Sequence, residues 1–232
     1  MKKYRGYLRE TRRPVYSAAL VFPFLLVYHA GTLLVGGTHI NGADALIIRL
    51  LGALGVFSVY ASALVLAAAL AAWQWRTRAP GRIRARLLAL SLLESAFFAL
   101  VLLAAFGWLG PRLPLALSDP APVLRDFILY CGAGVYEEFL FRWLLLGFLL
   151  WLFRRILPGG HAAATAGAVL SAALIFAAFH YIGPGGDPFS PGSFALRAAG
   201  GLYFGLIFIA RGFGLAAASH ALYDIFLGLA AR

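Results

Sequence analysis

Glu137-Glu138-Phe139-Leu140-Phe141-Arg142 sets two adjacent carboxylates and a guanidinium inside the apolar run from Val123 to Phe153. A charge at bilayer depth costs about 2.5–3.5 kcal/mol or more unless it is paired or faces a polar cavity, so such a group marks a functional site by default. Two further polar islands follow. Phe176-Ala-Ala-Phe-His180 puts an imidazole in the run Ala162 to Ile182, and His220-Ala-Leu-Tyr-Asp224 puts an imidazole and a carboxylate in the run Leu215 to Ala230. On a helix, residues four apart share a face, whereas neighbours point about 100° apart. The spacing therefore predicts that Glu138 faces Arg142, an ion pair that offsets the burial of both charges, while Glu137 points elsewhere and is left for chemistry. By the same rule His220 shares a face with Asp224, and Phe176 with His180. Glu137, His180, His220 and Asp224 are the residue types of a hydrolytic site, which either polarises water directly or holds a metal that does so. Two His, one Glu and one Asp would also make a zinc set. Each island alone reads more simply as an intrahelical pair or a lone histidine at a helix end, but three on three apolar helices read as one site.

The helices that must position these groups are legible in the composition. Of 232 residues 62% are hydrophobic and only 12% charged, and the mean hydropathy is +0.84. A soluble domain carries about a quarter charged residues. The chain is expected to be an all-α, polytopic integral membrane bundle forming a single membrane domain over 1–232. Its parts would be a basic tail at 1–14 and a catalytic core at 123–230. Seven runs meet or approach the roughly 20 apolar residues a span needs: Val15 to Val35, Ala45 to Trp75, Leu87 to Leu109, Val123 to Phe153, Ala162 to Ile182, Phe194 to Ala210 and Leu215 to Ala230. The second and fourth are long enough to tilt, kink or extend beyond the bilayer, and the last two are short enough to be partly re-entrant. The Pro/Gly-rich segment from Gly183 to Gly192 ends the fifth helix just after His180. Gly201-Leu-Tyr-Phe-Gly205 is a small-xxx-small pattern that allows close helix packing.

A formal net charge of +11 could suggest nucleic acid, but the basic residues sit where helices leave the membrane. Six lie in the N-terminal tail (Lys2, Lys3, Arg5, Arg9, Arg12, Arg13) and five in the second loop (Arg76, Arg78, Arg82, Arg84, Arg86). Arg154 and Arg155 follow the fourth run and Arg211 the sixth. Basic residues on alternate loops place the N-terminus in the cytoplasm. The opposite loops carry Asp44, Asp119 and Asp187, with Arg49, Arg112, Arg125 and Arg197. The first run follows a basic tail but lacks a clear small-x-small cleavage site, so it reads as a retained anchor. At ~1.5 Å per residue, Glu137 lies roughly 21 Å from the outer start of its helix and His180 about 27 Å from the inner start of its own, which sets the site mid-membrane, leaning outward.

Other polar residues are given lesser roles. Cys131, the only cysteine, excludes an internal disulfide and reads as packing near Glu137. His29, His39 and His161 have no partner at useful spacing. Glu94 sits in an apolar helix with no charge four residues away, so it must pair across helices or be protonated. Trp73, Trp75, Trp108, Trp151 and Tyr181 read as interfacial anchors.

The three islands, in order, resemble the pattern EExxxR, FxxxH, HxxxN or HxxxD of the CAAX protease and bacteriocin-processing (CPBP, or Abi) intramembrane proteases. They stand here as Glu137-Glu138…Arg142, Phe176…His180 and His220…Asp224, and the resemblance covers Val123 to Ala230. It implies an integral membrane endopeptidase, in a bacterial cytoplasmic membrane, that cuts in or beside a membrane-associated segment. The substrate would be a sorting tail, a leader or a CAAX-like tail; the partners are that peptide and the lipid bilayer, not nucleic acid. It also implies that Glu137 and His180 activate water and that His220 and Asp224 address the scissile carbonyl. Glu138 and Arg142 would support them. Eukaryotic CAAX enzymes have asparagine in the last position; an amide can donate to an oxyanion and an ionised carboxylate cannot. Asp224 must then be protonated, orient His220, or ligate a cation. The resemblance favours metal-free catalysis, with zinc the alternative. A second class remains: a small transporter or proton-coupled channel with Glu94, Glu137, His180, His220 and Asp224 as a relay, although the chain shows no inverted repeat. A non-catalytic immunity or scaffold protein that keeps the motifs as structural pairs is a third.

Overall fold

Apolar runs in a medium that offers no hydrogen bonds must satisfy their backbone internally, which leaves helices as the form for segments of this kind. The computed structural model describes residues 2–35, 40–58, 60–109, 123–157, 160–183 and 186–230, without the side chains of 2–5, 108 and 109. His39, Arg112, Asp119 and the side chains of Lys2, Lys3, Arg5 and Trp108 lie outside the described residues. All regular structure within them is helical: α1 Lys2–Thr11, α2 Pro14–Leu34, α3 Gly42–Ala53, α4 Ala61–Thr77, α5 Ala85–Leu109, α6 Val123–Glu137, a π-helical segment Glu138–Leu146, α7 Gly147–Ile156, α8 Gly160–Phe179, α9 Pro191–Arg211 and α10 Phe213–Ala230. Among the described residues, five helical stretches are long and apolar enough to cross a membrane: Pro14–Leu34, Ala85–Gly107, Gly160–Phe179, Pro191–Arg211 and Phe213–Ala230. The chain is an all-helical integral membrane protein, and its last two apolar runs are full-length helices.

The run Ala45 to Trp75, expected as one helix, is two. α3 ends at Ala53, Gly55 turns at φ +85°, and α4 begins at Ala61. The twelve residues of α3 rise only ~18 Å, short of the ~30 Å hydrocarbon core. Hydropathy missed the break because the connection itself is apolar, with Leu54, Val56 and Phe57. The run Val123 to Phe153 is instead continuous to Ile156, through the π segment.

α10 is the central helix. It packs on α2, α5, α6, α9 and the π segment, and its first nine residues, Phe213 to Ala221, are all buried. Ala216, Ala217, Ala218 and Ser219 keep that half thin enough to be surrounded. Gly212, at φ +88°, provides the one-residue turn from α9 into α10, a conformation that costs other residues about 1–2 kcal/mol. Gly134 provides the crossing with α6: a Cβ there would lie 2.3 Å from the Ala221 amide nitrogen. The small-residue pattern on α9 is a packing device, since a Cβ on Gly201 would come 3.0 Å from the Ala173 backbone of α8.

The basic connections gather at the end of the bundle that carries α1. Arg12 donates to the Ile209 carbonyl at 3.0 Å, and the Arg84 amide donates to the Tyr16 hydroxyl at 2.9 Å. Glu94 is paired across helices: Arg211 donates to its two oxygens at 2.6 and 2.8 Å, Tyr7 donates at 2.5 Å, and Arg211 also reaches Thr11 at 2.9 Å. Trp75 and Trp151 are exposed, as anchors should be, whereas Trp73 packs edge-on against Trp143 and Tyr181 against Phe189.

Two substitutions check this packing. Gly134→Ala should force α10 off α6 and destabilise the protein by about 1–3 kcal/mol, an overpacking cost, seen as a lower Tm in detergent; an unchanged Tm would contradict the close crossing. Glu94→Ala strands a buried guanidinium and should cost about 3–5 kcal/mol, whereas a substitution at exposed Leu93 on the same helix should leave Tm nearly unchanged.

Candidate active site

The buried face of α6 and the π segment meets α10 beside the Gly134 crossing, so the three sequence islands come together there. Glu138 is fully buried and Arg142 is 2% exposed. Arg142 Nη1 lies 2.9 Å from Glu138 Oε1, and its Nη2 donates to the Gly201 carbonyl at 3.4 Å. The guanidinium stacks over Phe176, 4.3 Å from the ring centroid, a contact worth about 2 kcal/mol when desolvated. The expected Glu138–Arg142 pair is therefore present, and it ties α8 and α9 to the π segment.

His220 is where the arrangement departs from expectation. Glu138 Oε1 lies 2.8 Å from its Nδ1, while Glu137 Oε2 and Asp224 Oδ2 lie 3.9 and 3.6 Å from its Nε2. Spacing directed Glu137 away from Glu138, yet both carboxylates meet one imidazole from opposite edges. The physical reason is the π segment, whose i→i+5 bonding widens the helix where Glu137 gives way to Glu138, together with the close approach of α10. Carboxylates only accept, so Nδ1 is the donor to Glu138. Nε2 makes no hydrogen bond within 3.5 Å among the described residues; with Nδ1 already protonated it donates only in the imidazolium form, which the three surrounding carboxylates favour. Phe204 of α9 stacks on the ring at 4.4 Å and 16°, fixing its plane.

His180 is the first residue beyond α8. Its Nδ1 lies 2.9 Å from the Phe176 carbonyl, and a carbonyl can only accept, so Nδ1 carries the proton and Nε2 keeps a lone pair. The ring packs edge-on against Phe176 at 4.8 Å and lies within electrostatic reach of Glu137 and His220. The Asp187 amide donates to the His180 carbonyl at 2.9 Å, closing the turn, and Arg197 pairs with Asp187.

Several contacts had no signal in the spacing. Asn41 caps α3, its Oδ1 accepting from the Ala43 amide at 2.8 Å, and its Nδ2 donates to Glu137 Oε1 at 3.1 Å. Asp44, buried at 1% exposure, accepts from Tyr28 at 2.7 Å. His29, set aside for want of a neighbour in sequence, lies 2.7 Å from the Tyr136 hydroxyl. The Asn-Gly-Ala-Asp sequence at 41–44 does read as a helix N-terminus, with a capping residue and an early acid, and that signal could have found α3. Cys131 is buried packing in the cluster with Val135 and Ile128, and His161 lies exposed on the first turn of α8. Among the described residues, no three His, Cys, Asp or Glu side chains are arranged to hold a metal ion.

The helices define an integral membrane protein, and one segment of it is similar to the CAAX proteases. Residues 119–226, the segment that carries all three islands, match the family model described as type II CAAX prenyl endopeptidase, Rce1-like. Motifs and match agree on the CPBP, CAAX-protease family over that segment. No curated protein and no solved structure matches the chain.

Arg142→Met tests the central ion pair. It leaves Glu138 without its guanidinium and should cost about 3–5 kcal/mol, as for breaking a buried pair, measured by thermal unfolding in detergent. Arg142→Lys should recover only part, because an ammonium cannot reach Glu138 and the Gly201 carbonyl in the same fork.

Proposed function

We propose that the chain hydrolyses a peptide bond in or beside a membrane-associated segment, with Glu137 and His180 activating water and His220 polarising the scissile carbonyl. The observation that carries this reading is the division of labour at His220. Glu138 takes the Nδ1 proton at 2.8 Å, and in the imidazolium form that the surrounding carboxylates favour, the Nε2–H beside Glu137 Oε2 is free to donate to a carbonyl oxygen. Glu137 accepts the proton of the water as it attacks, and His180 Nε2 supplies a second acceptor lone pair. The negative charge that develops on the carbonyl oxygen is met by the His220 Nε2–H. The proton gathered from water is then returned to the leaving amine. Asp224, 3.6 Å from Nε2, orients the imidazole and balances its charge, a role that requires no donation from a carboxylate.

Placement supports the substrate class. The site sits among spanning helices, and the matching family's description names a prenyl endopeptidase, so a sorting tail, leader or CAAX-like tail held at the membrane fits. The basic loops at the α1 end support a reading in which that end faces the cytoplasm of a bacterial inner membrane, with the site leaning to the opposite side.

Purified protein in detergent should cleave a membrane-anchored peptide library. Glu137→Gln and His180→Ala should each lower kcat about 10²–10⁴-fold, the usual worth of general acid–base catalysis, with Tm retained. Cleavage should survive a chelator. Loss on chelation with recovery on adding zinc would replace the glutamate-activated water with a metal-bound one, and proton-coupled flux lost in Glu137→Gln without any cleavage would favour a relay.

A further inference from the structure

Glu137 must present one chosen oxygen to water, and a carboxylate on a flexible side chain does not do so unaided. We infer that Asn41 is a positioning residue that fixes the Glu137 carboxylate, an inference resting on the role proposed above for Glu137. The Asn41 amide is committed at both ends. Oδ1 accepts from the Ala43 amide at 2.8 Å as the N-cap of α3, which turns Nδ2 to Glu137 Oε1 at 3.1 Å. The cap thus decides which end of the amide faces the carboxylate.

Asn41 is itself held independently of Glu137. Its backbone N–H donates to the Tyr28 hydroxyl at 3.0 Å, and that hydroxyl donates to Asp44 Oδ2 at 2.7 Å, one turn into α3. Tyr28 is wholly buried, and its ring lies where a Cβ on Gly132 would come within 2.4 Å. The start of α3 is therefore clamped to α2 and α6 by a tyrosine that a side chain at 132 would displace. With Oε1 occupied by Asn41, Oε2 is the oxygen directed toward His220 Nε2, 3.9 Å away, and so the one left for water. α3, too short to span, serves to deliver this amide.

The decisive variants keep the cap and remove the donor. Ser and Asp cap helices about as well as Asn, so Asn41→Ser and Asn41→Asp should preserve α3, and neither can donate to Glu137 as the amide does. On the membrane-anchored peptide, Asn41→Ser should lower kcat about 10- to 100-fold, the worth of a hydrogen bond to a charged group or a small misplacement. KM should stay within about twofold, because the contact orients the base rather than binding substrate. Asn41→Asp, which sets a second carboxylate against the first, should lose more and should lower Tm. A readout independent of cleavage is the stability cycle with Glu137→Gln. In that background Asn41→Asp restores an amide–carboxylate pair with the partners exchanged, and its Tm loss should largely disappear. Wild-type kcat in Asn41→Ser while Glu137→Gln is inactive would overturn the inference, leaving Asn41 a cap and the protease reading intact. An equal Tm loss from Asn41→Asp in both backgrounds would overturn it as well. Full cleavage by Glu137→Gln would overturn the role of Glu137, and with it the catalytic meaning of Asn41, even if the cycle still reported their contact.

Discussion

A carboxylate with no exposure to solvent, in helices that sit in lipid, has to be neutralised by the protein, and the packing around Glu138 is organised by that requirement. Arg142 lies 2.9 Å from Glu138 Oε1 and His220 Nδ1 2.8 Å from the same oxygen. Those two partners come from different helices, so the charge balance also fixes how α10 lies on the π segment. Arg142 extends the linkage to the Gly201 carbonyl and the Phe176 face. Breaking a buried pair costs about 3–5 kcal/mol, although replacing it by apolar groups can be neutral. The pair is therefore better understood as holding a geometry than as supplying stability.

That geometry is what the proposed chemistry needs. With Nδ1 of His220 occupied by Glu138 and its plane set by Phe204, Nε2 has one direction in which to donate. His180 is fixed in the complementary sense, its Nδ1 turned to the Phe176 carbonyl and its Nε2 left to accept. Two histidines of the same residue type thus present opposite hydrogen-bonding edges. Neither orientation depends on a flexible loop, which accords with sites that work by pre-organisation in a water-poor medium.

The end of the molecule near α1 repeats the logic of buried charge. Glu94 and Arg211 are paired through two hydrogen bonds, with Tyr7 and Thr11 of α1 completing the set. Burial pushes the Tyr7 hydroxyl above its ordinary pKa, reinforced by its bond to Glu94, so Tyr7 stays a donor across the physiological range. The amphipathic first helix is thereby tied to α5 and α9.

The amino-acid order alone determined the all-helical membrane class, the Glu138–Arg142 pair, the shared faces of Phe176 with His180 and His220 with Asp224, and the close packing at Gly201. These are local properties, set by hydropathy and by residues four apart, and the π segment did not abolish them. Tertiary structure decided the rest. The break between α3 and α4 was hidden because its residues are as apolar as the helices they separate. Glu137 and Glu138 converge on one imidazole because α10 crosses at Gly134, an approach that helical spacing cannot encode. Asn41 reaches Glu137 from 96 positions away in the chain, and Glu94 meets Arg211 from 117. Periodicity specifies which side chains share a face of one helix. Which faces meet depends on where small residues let backbones approach and where a buried charge requires a partner, and both are settled only when the helices pack.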